Sequence, residues 1–284
     1  MISFRKYTFY PGCALYSSSK EYLESLRAIS KYFGVQFEEL KGWTCCAPVA
    51  AHGISGLLSI AISAGNLALA EKRGEGELVV PCAACYSRLK IASYEISKDK
   101  ETARKISDIL KYDFKNSVRI LHPLEIFNDI KPELIKKDLS KVNVVSYYGC
   151  LLTRPPKATQ FDVCENPQSM DDIFRKLGMN VIDWSYKTDC CGSSHYLTKK
   201  EVFQRLTGTI LDAAKDSGAD VISVACPLCQ LNLDSYQLDF KKPNIPVLFF
   251  SQLIGLAYGV PEKDLGIEKL FVGIGEVLEK CAIG

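Results

Sequence analysis

The sequence predicts an α/β protein made of two duplicated domains, each a small, mainly parallel sheet with flanking helices, related by internal pseudo-symmetry. Three observations carry that prediction. Short β-like runs alternate with helical stretches along the chain. One arrangement of five cysteines occurs twice, and in each copy the helix after the first cysteine is closed by a glycine, Gly34 or Gly178. Alternating strands and helices favour right-handed βαβ crossovers and therefore parallel pairing.

Taken in order, the first strand of each copy is expected at "YTFYPGC" and at "VVSYYGC", both running into a cysteine, Cys13 or Cys150. The helix that follows has readable ends. Ser18 with Glu21 forms a capping box in copy one, and Asn166 with Pro167 supplies an N-cap and a first-turn proline in copy two. Glycine ends both because it accepts the left-handed conformation there. A β-like run comes next, "VQFEEL" or "NVIDW", and then a double cysteine, Cys45–Cys46 or Cys190–Cys191.

A second helix is expected from about Ile54 in copy one and after Thr198 in copy two, where "TKKE" at 198–201 reads as another capping box. The apolar run at 54–70 is shorter than the ~20 residues a membrane span needs, so a buried helix is expected and no membrane anchor. A third strand, "GELVV" or "ADVISV", delivers a CxxC, Cys82–Cys85 or Cys226–Cys229, whose second half opens another helix. A polar, Lys-rich stretch near residue 138 divides the chain into domains at 1–138 and 139–284, with the tail after 250 a closing helical segment on the second.

Composition excludes several classes of function. With 35 basic and 33 acidic side chains in 284 residues the net charge is only +2, which argues against a nucleic-acid partner. The start "MISFRKYTFYPG" lacks a signal-peptide core, so the expected address is cytoplasmic. Twelve cysteines are many for such a compartment, where structural disulfides are disfavoured, and metal ligation is the better reading.

Ten of the twelve belong to the repeat: Cys13, Cys45, Cys46, Cys82 and Cys85, then Cys150, Cys190, Cys191, Cys226 and Cys229. The intervening stretches are 31 and 35 residues in copy one, 39 and 34 in copy two. Strand order in a doubly wound sheet places such residues at the carboxyl ends of strands, where these folds build their sites. Four cysteines suit a tetrahedral zinc or a cubane iron–sulfur cluster, and five is one more than either takes. Adjacent residues lie about 3.8 Å apart at Cα, so Cys45 and Cys46 fit two different irons of a larger cluster better than one zinc. Zinc knuckles and a redox-active CxxC remain alternatives.

These motifs resemble the B subunit of heterodisulfide reductase, of the two-domain cysteine-rich CCG family and the soluble type. The matching pieces are Cys13, "CCA" at 45–47 and "CAAC" at 82–85, then Cys150, "CCG" at 190–192 and "CPLC" at 226–229. The resemblance implies a noncubane [4Fe-4S] cluster on each five-cysteine set, with zinc the alternative in one domain. It implies reductive cleavage of the coenzyme M–coenzyme B disulfide, as in methanogenesis, with the disulfide lying between the clusters. It also implies electron-donating partners of heterodisulfide reductase, one ferredoxin-like and one flavin-bearing, in a larger assembly that could include a hydrogenase or formate dehydrogenase. The wording "GCALYSSSKEYLESLRA" and "GCLLTRPPK" looks closer to relatives in sulfur metabolism and aromatic-degrading anaerobes, which points to a related disulfide. The alternative is a non-catalytic iron–sulfur electron-transfer subunit of a larger anaerobic redox complex.

A few residues beyond the ten stand near the expected sites. His52 and His195 follow the paired cysteines by six and four residues, placed to protonate a thiolate or to meet an anionic substrate, or simply to be satisfied by backbone at a helix start. Arg154 and Lys157 lie beside Cys150, and an arginine suits a sulfonate, phosphate or carboxylate. Trp43 and Trp184 precede the paired cysteines and are expected to pack on the cluster shell. Cys164 and Cys281 fall outside the repeats and are expected not to be ligands.

Overall fold

A computed structural model of the chain describes residues 4–47, 50–240 and 244–281, without the side chains of Ala50, His52, Asp239 and Phe240. His52, singled out above, therefore has its side chain outside the described residues. The first unit runs β1 (Arg5–Phe9), α1 (Lys20–Ser30), β2 (Val35–Glu39), α2 (Ala50–Ile54), α3 (Gly56–Lys72), β3 (Glu77–Val79), α4 (Ala83–Lys98), α5 (Lys100–Leu110) and β4 (Arg119–Leu121). The second runs β5 (Asn143–Tyr147), α6 (Cys150–Thr153), α7 (Pro156–Thr159), α8 (Ser169–Lys176), β6 (Asn180–Val181), α9 (Lys200–Asp216), β7 (Val221–Val224), α10 (Pro227–Phe240) and β8 (Val247–Phe249). Helices α11 (Phe250–Ala257) and α12 (Gly275–Lys280) close the chain.

The two sheets repeat one topology, β2-β1-β3-β4 and β6-β5-β7-β8, and every pairing is parallel. The expected duplicated α/β architecture is what forms. Each sheet nevertheless has four strands where the pattern gave three. The fourth, "RIL" or "VLF", is only three residues long, too short for alternation to register, and it exists because a neighbouring central strand offers it a ladder.

Helix starts differ from the sequence reading. Helix α1 is capped by Ser19, α8 by Gln168 and α9 by Lys199, and none has a side-chain capping bond. Asn166, expected as a cap, instead accepts a hydrogen bond from Lys187 Nζ at 2.8 Å. Tertiary partners outcompete the local box. The glycine stops hold: Gly34 and Gly178 take φ of 61° and 81°. Helix α3 buries a face of small residues, Ala61, Ala64, Ala68 and Ala70, while Ile54, Leu57 and Leu58 at its approach are exposed, so the segment is buried over its later turns only.

The tail does more than close the second unit. Helix α11 lies along α1 of the first, with Phe249 stacked on Tyr22 at 4.0 Å and Ser251 Oγ 2.7 Å from Ser25 Oγ. Beyond α11, Lys269 pairs with Glu24. In the reverse sense, the segment after Cys150 crosses to α4: Tyr86 Oη donates to Thr159 O at 3.2 Å, and Ser87 Oγ to Arg154 O at 3.4 Å. Two apolar layers thus meet face to face, and burial of Tyr22, Tyr86, Phe249 and Phe250 at this seam holds the units in one orientation.

Candidate metal centre

In each unit the chain leaves the end of the first strand, turns at a glycine and presents the first cysteine. Gly12 and Gly149 adopt φ of 69° and 70°, and a Cβ on either would lie 3.0 Å from a thiol, Cys85 Sγ or Cys229 Sγ. Both demands, left-handed backbone and close approach of sulfur, exclude a side chain. Cys85 and Cys229 sit in the first turns of α4 and α10, as expected of the CxxC; proline at the first position of α10 suits a helix start.

The paired cysteines are brought in by loops tied to buried tyrosines. Tyr10 Oη donates to Thr44 O at 2.7 Å and Tyr147 Oη to Asp189 O at 2.7 Å, each acceptor being the residue just before a cysteine pair. Asn66 Oδ1 accepts from Thr44 N at 2.8 Å. Trp43 packs edge-on against Tyr10 at 5.4 Å, and Trp184 lies 6.4 Å from Tyr147. The tryptophans thus support the loops through these tyrosines. The tyrosines were legible as the repeated spacing of Tyr three residues before the first cysteine, a signal the cysteine pattern overshadowed.

The sulfur atoms converge. Cys46 Sγ lies 3.2 Å from Cys85 Sγ, and Cys191 Sγ 3.5 Å from Cys229 Sγ. The amides of Ala47 and Gly192 donate to Cys45 Sγ and Cys190 Sγ at 3.3 and 3.4 Å. In both sets the inner three cysteines are buried, while Cys13, Cys45 and Cys190 are exposed and Cys150 is half-buried, so each set has a closed floor and an open rim. The second set lines a small recess of about 20 Å3 together with Ala83 of the first unit. The two CxxC turns approach each other across the seam, near enough for the Cys82 and Cys226 thiols to shift each other's ionisation.

Crowding divides the thiols between charged and neutral. Cys46 is held below the usual thiol value by its bond with Cys85, and Cys82 by its bonds with Cys226 and Cys85. Cys85 is pushed well up by Cys46 and Cys82. In the second set the bond with Cys150 holds Cys190 down at about 6, and His195 nearby adds to the effect, while Cys229 is pushed well up by Cys191 and Cys226. Five neighbouring thiols cannot all ionise unaided, because each new charge repels the last. A multinuclear iron core is the kind of cationic partner that relieves the repulsion. Five thiols in each set are one more than a lone tetrahedral zinc takes, so the donor set suits a cluster better than a single zinc.

The other sequence candidates are placed as follows. His195 sits half-buried in the turn after Gly192, close enough to act on Cys190. Arg154 donates to Thr188 O at 2.8 Å and Thr188 Oγ1 at 3.2 Å, and pairs at 2.5 Å with Glu165. Lys157 lies exposed in α7. Cys164 donates to Glu165 Oε1 at 3.5 Å on the loop, and Cys281 is buried at the end of α12, away from both sets. The third histidine, His122, went unnoticed because it has no motif around it. It is fully buried at the seam, where burial pushes its pKa down to about 4.

Gly149→Ala is expected to cost about 1–3 kcal/mol from its backbone alone, because φ of 70° with ψ of 175° is a region essentially reserved for glycine. Urea unfolding checks this; a variant as stable as the wild type would mean that the turn relaxes around the new side chain.

Residues 7–90 and 144–234 match the cysteine-rich domain family CCG. The 8-methylmenaquinol:fumarate reductase membrane anchor subunit of Wolinella succinogenes is 32% identical over 274 residues, covering 93% of this chain and 95% of that protein. The B subunit of the ferredoxin:CoB-CoM heterodisulfide reductase of Methanosarcina mazei is 31% identical over 258 residues, 85% of each chain. The ferredoxin/F420H2-dependent counterpart of Methanosarcina acetivorans is 28% identical over 97% of this chain and 96% of that protein. Among solved structures, a hypothetical protein from Helicobacter pylori superposes with a TM-score of 0.77 at 16% identity, over 95% of this chain and 52% of that one, which bears on the fold alone. With two matched segments, each carrying one five-thiol set at the ends of its strands, the chain belongs to the two-domain cysteine-rich CCG family.

Proposed function

We propose that this chain is the iron–sulfur subunit of a multi-subunit reductase and carries two noncubane [4Fe-4S] clusters, at which a disulfide is reduced to two thiols. Cys13, Cys45, Cys46, Cys82 and Cys85 would hold one cluster, and Cys150, Cys190, Cys191, Cys226 and Cys229 the other. The observation that carries the reading is the pair of five-thiol sets, each converging on a buried floor beneath an open rim. When bound, each cluster supplies one electron at a time, and a pair matches the two electrons a disulfide requires.

The protein's own groups provide the setting. The buried floor excludes water from the inner thiols, and the amides of Ala47 and Gly192 steady the outer ones. His195, whose charge bears on Cys190, would give a proton to a departing thiolate. Arg154 already uses two donors on Thr188; its outward partner is the exposed Glu165, which an anionic substrate group could replace. Electrons would come from the partners that heterodisulfide reductases use, one ferredoxin-like and one flavin-bearing, since the two Methanosarcina relatives are named as the B subunit of that enzyme.

A second reading, an electron relay in a complex of the fumarate reductase kind, is favoured by the 32% identity to the Wolinella protein. No described helix is long and apolar enough to cross a membrane. Anaerobic purification with iron and acid-labile sulfide analysis tests what the two readings share: about eight irons per chain are expected, and zinc without sulfide would defeat both. Titrating the oxidised protein with anionic disulfides then separates them. A new paramagnetic signal supports disulfide reduction, and silence toward every disulfide supports the relay.

A further inference from the structure

His122 follows β4 and stands where the two units touch. Its Nε2 lies 3.1 Å from Pro81 O and 3.3 Å from Ala225 O, the carbonyls of the residues immediately before Cys82 and Cys226. Its Nδ1 accepts from Leu124 N at 3.3 Å, which assigns the ring proton to Nε2. A single N–H is therefore shared by two carbonyls at equivalent positions of the duplicated fold. The ring cannot easily turn away, because Tyr86 and Phe161 pack edge-on against it, both at 5.9 Å. At the end of β8 the second unit has Phe249 and Phe250, so one histidine serves both turns.

We propose that His122 is a positioning residue that fixes the two CxxC turns relative to each other and so holds Cys82 and Cys226, which follow the two bridged carbonyls, close across the seam. This goes beyond the family's cysteines and rests on reading those turns as metal-bearing; the approach of the two turns belongs to the chain and can be measured without metal. Losing the shared bond would leave two buried carbonyls without their donor and free each turn to shift along the seam. In the metal-bearing protein that shift would alter the separation of the two centres while leaving their ligands in place.

The full chain, freed of metal under anaerobic conditions, is treated with limiting diamide, and its disulfides are mapped by mass spectrometry. Cys46 and Cys85, 3.2 Å apart within the first unit, serve as internal reference. His122→Phe keeps a ring and removes the N–H. It is expected to lower the Cys82–Cys226 disulfide relative to Cys46–Cys85 about fivefold, the change that loss of one net hydrogen bond produces, and His122→Gln, which restores a donor, to recover most of it. An unchanged ratio in His122→Phe overturns the proposal. So does an equal fall of both disulfides, which marks general loss of fold. Iron and sulfide analysis of the metal-bearing wild type runs beside it: absence of iron defeats the cluster reading and leaves the disulfide ratio readable.

Discussion

Lys187→Met is expected to destabilise the chain by about 3–5 kcal/mol, the usual consequence of removing one partner of a buried ion pair. Lys187 is 2% exposed and its Nζ lies 2.6 Å from Asp171 Oδ2, itself 1% exposed. Burial pushes the Asp171 carboxyl up even with the ammonium beside it, so without Lys187 a charge is left with almost nothing to answer it. The sign of the pH dependence follows. A carboxyl whose folded pKa is raised prefers to be protonated in the native state, so the variant should regain stability as the pH falls through that raised pKa. Urea unfolding at neutral and mildly acidic pH checks this, and a loss below about 1 kcal/mol would show the pair to be solvated. The double variant Lys187→Met with Asp171→Leu should recover most of the loss. The consequence reaches the second thiol set, because Lys187 O accepts from Tyr148 N at 2.8 Å and Gly149 N at 3.2 Å, the residues that lead into Cys150.

Cys191→Ala should remove about half of the iron and sulfide, leaving about four irons per chain. Cys191 sits at the floor of the second set, 3.5 Å from Cys229 Sγ and 3.6 Å from Asn232 Nδ2, with its carbonyl held by Thr207 Oγ1 at 2.7 Å. Cys46→Ala, its counterpart in the first unit, should remove the other half. Cys164→Ala is the control, since its thiol reaches only Glu165, and its iron content should equal that of the wild type. Metal analysis with circular dichroism separates lost ligation from lost fold. Full iron in both floor variants would exclude the buried thiols as ligands.

Much of this could be read along the chain. Strands that run into cysteine, helices that stop at Gly34 and Gly178, and the doubled spacing of ten thiols are local or periodic signals, and each appears where expected. The fourth strands were invisible because a three-residue strand has no period of its own. The caps at Ser18, Asn166 and Thr198 failed for a related reason: a polar side chain near a helix start chooses among all the partners the fold offers, and Asn166 found Lys187. Arg154, read as suited to an anionic group beside Cys150, has Thr188 and Glu165 as partners.

The sequence by itself determined the alternation of strands and helices in each unit and the grouping of ten cysteines into two sets of five, because both follow from patterns that repeat at short range. Only the tertiary structure decided how the halves meet. The crossing of α11 onto α1, the reach of residues 154–161 over α4 and the bridge from His122 to Pro81 and Ala225 join residues far apart in the chain. No short-range pattern encodes such pairs. They form because apolar surface left by each unit is buried against the other, and that burial brings the carbonyls of Pro81 and Ala225 to one histidine.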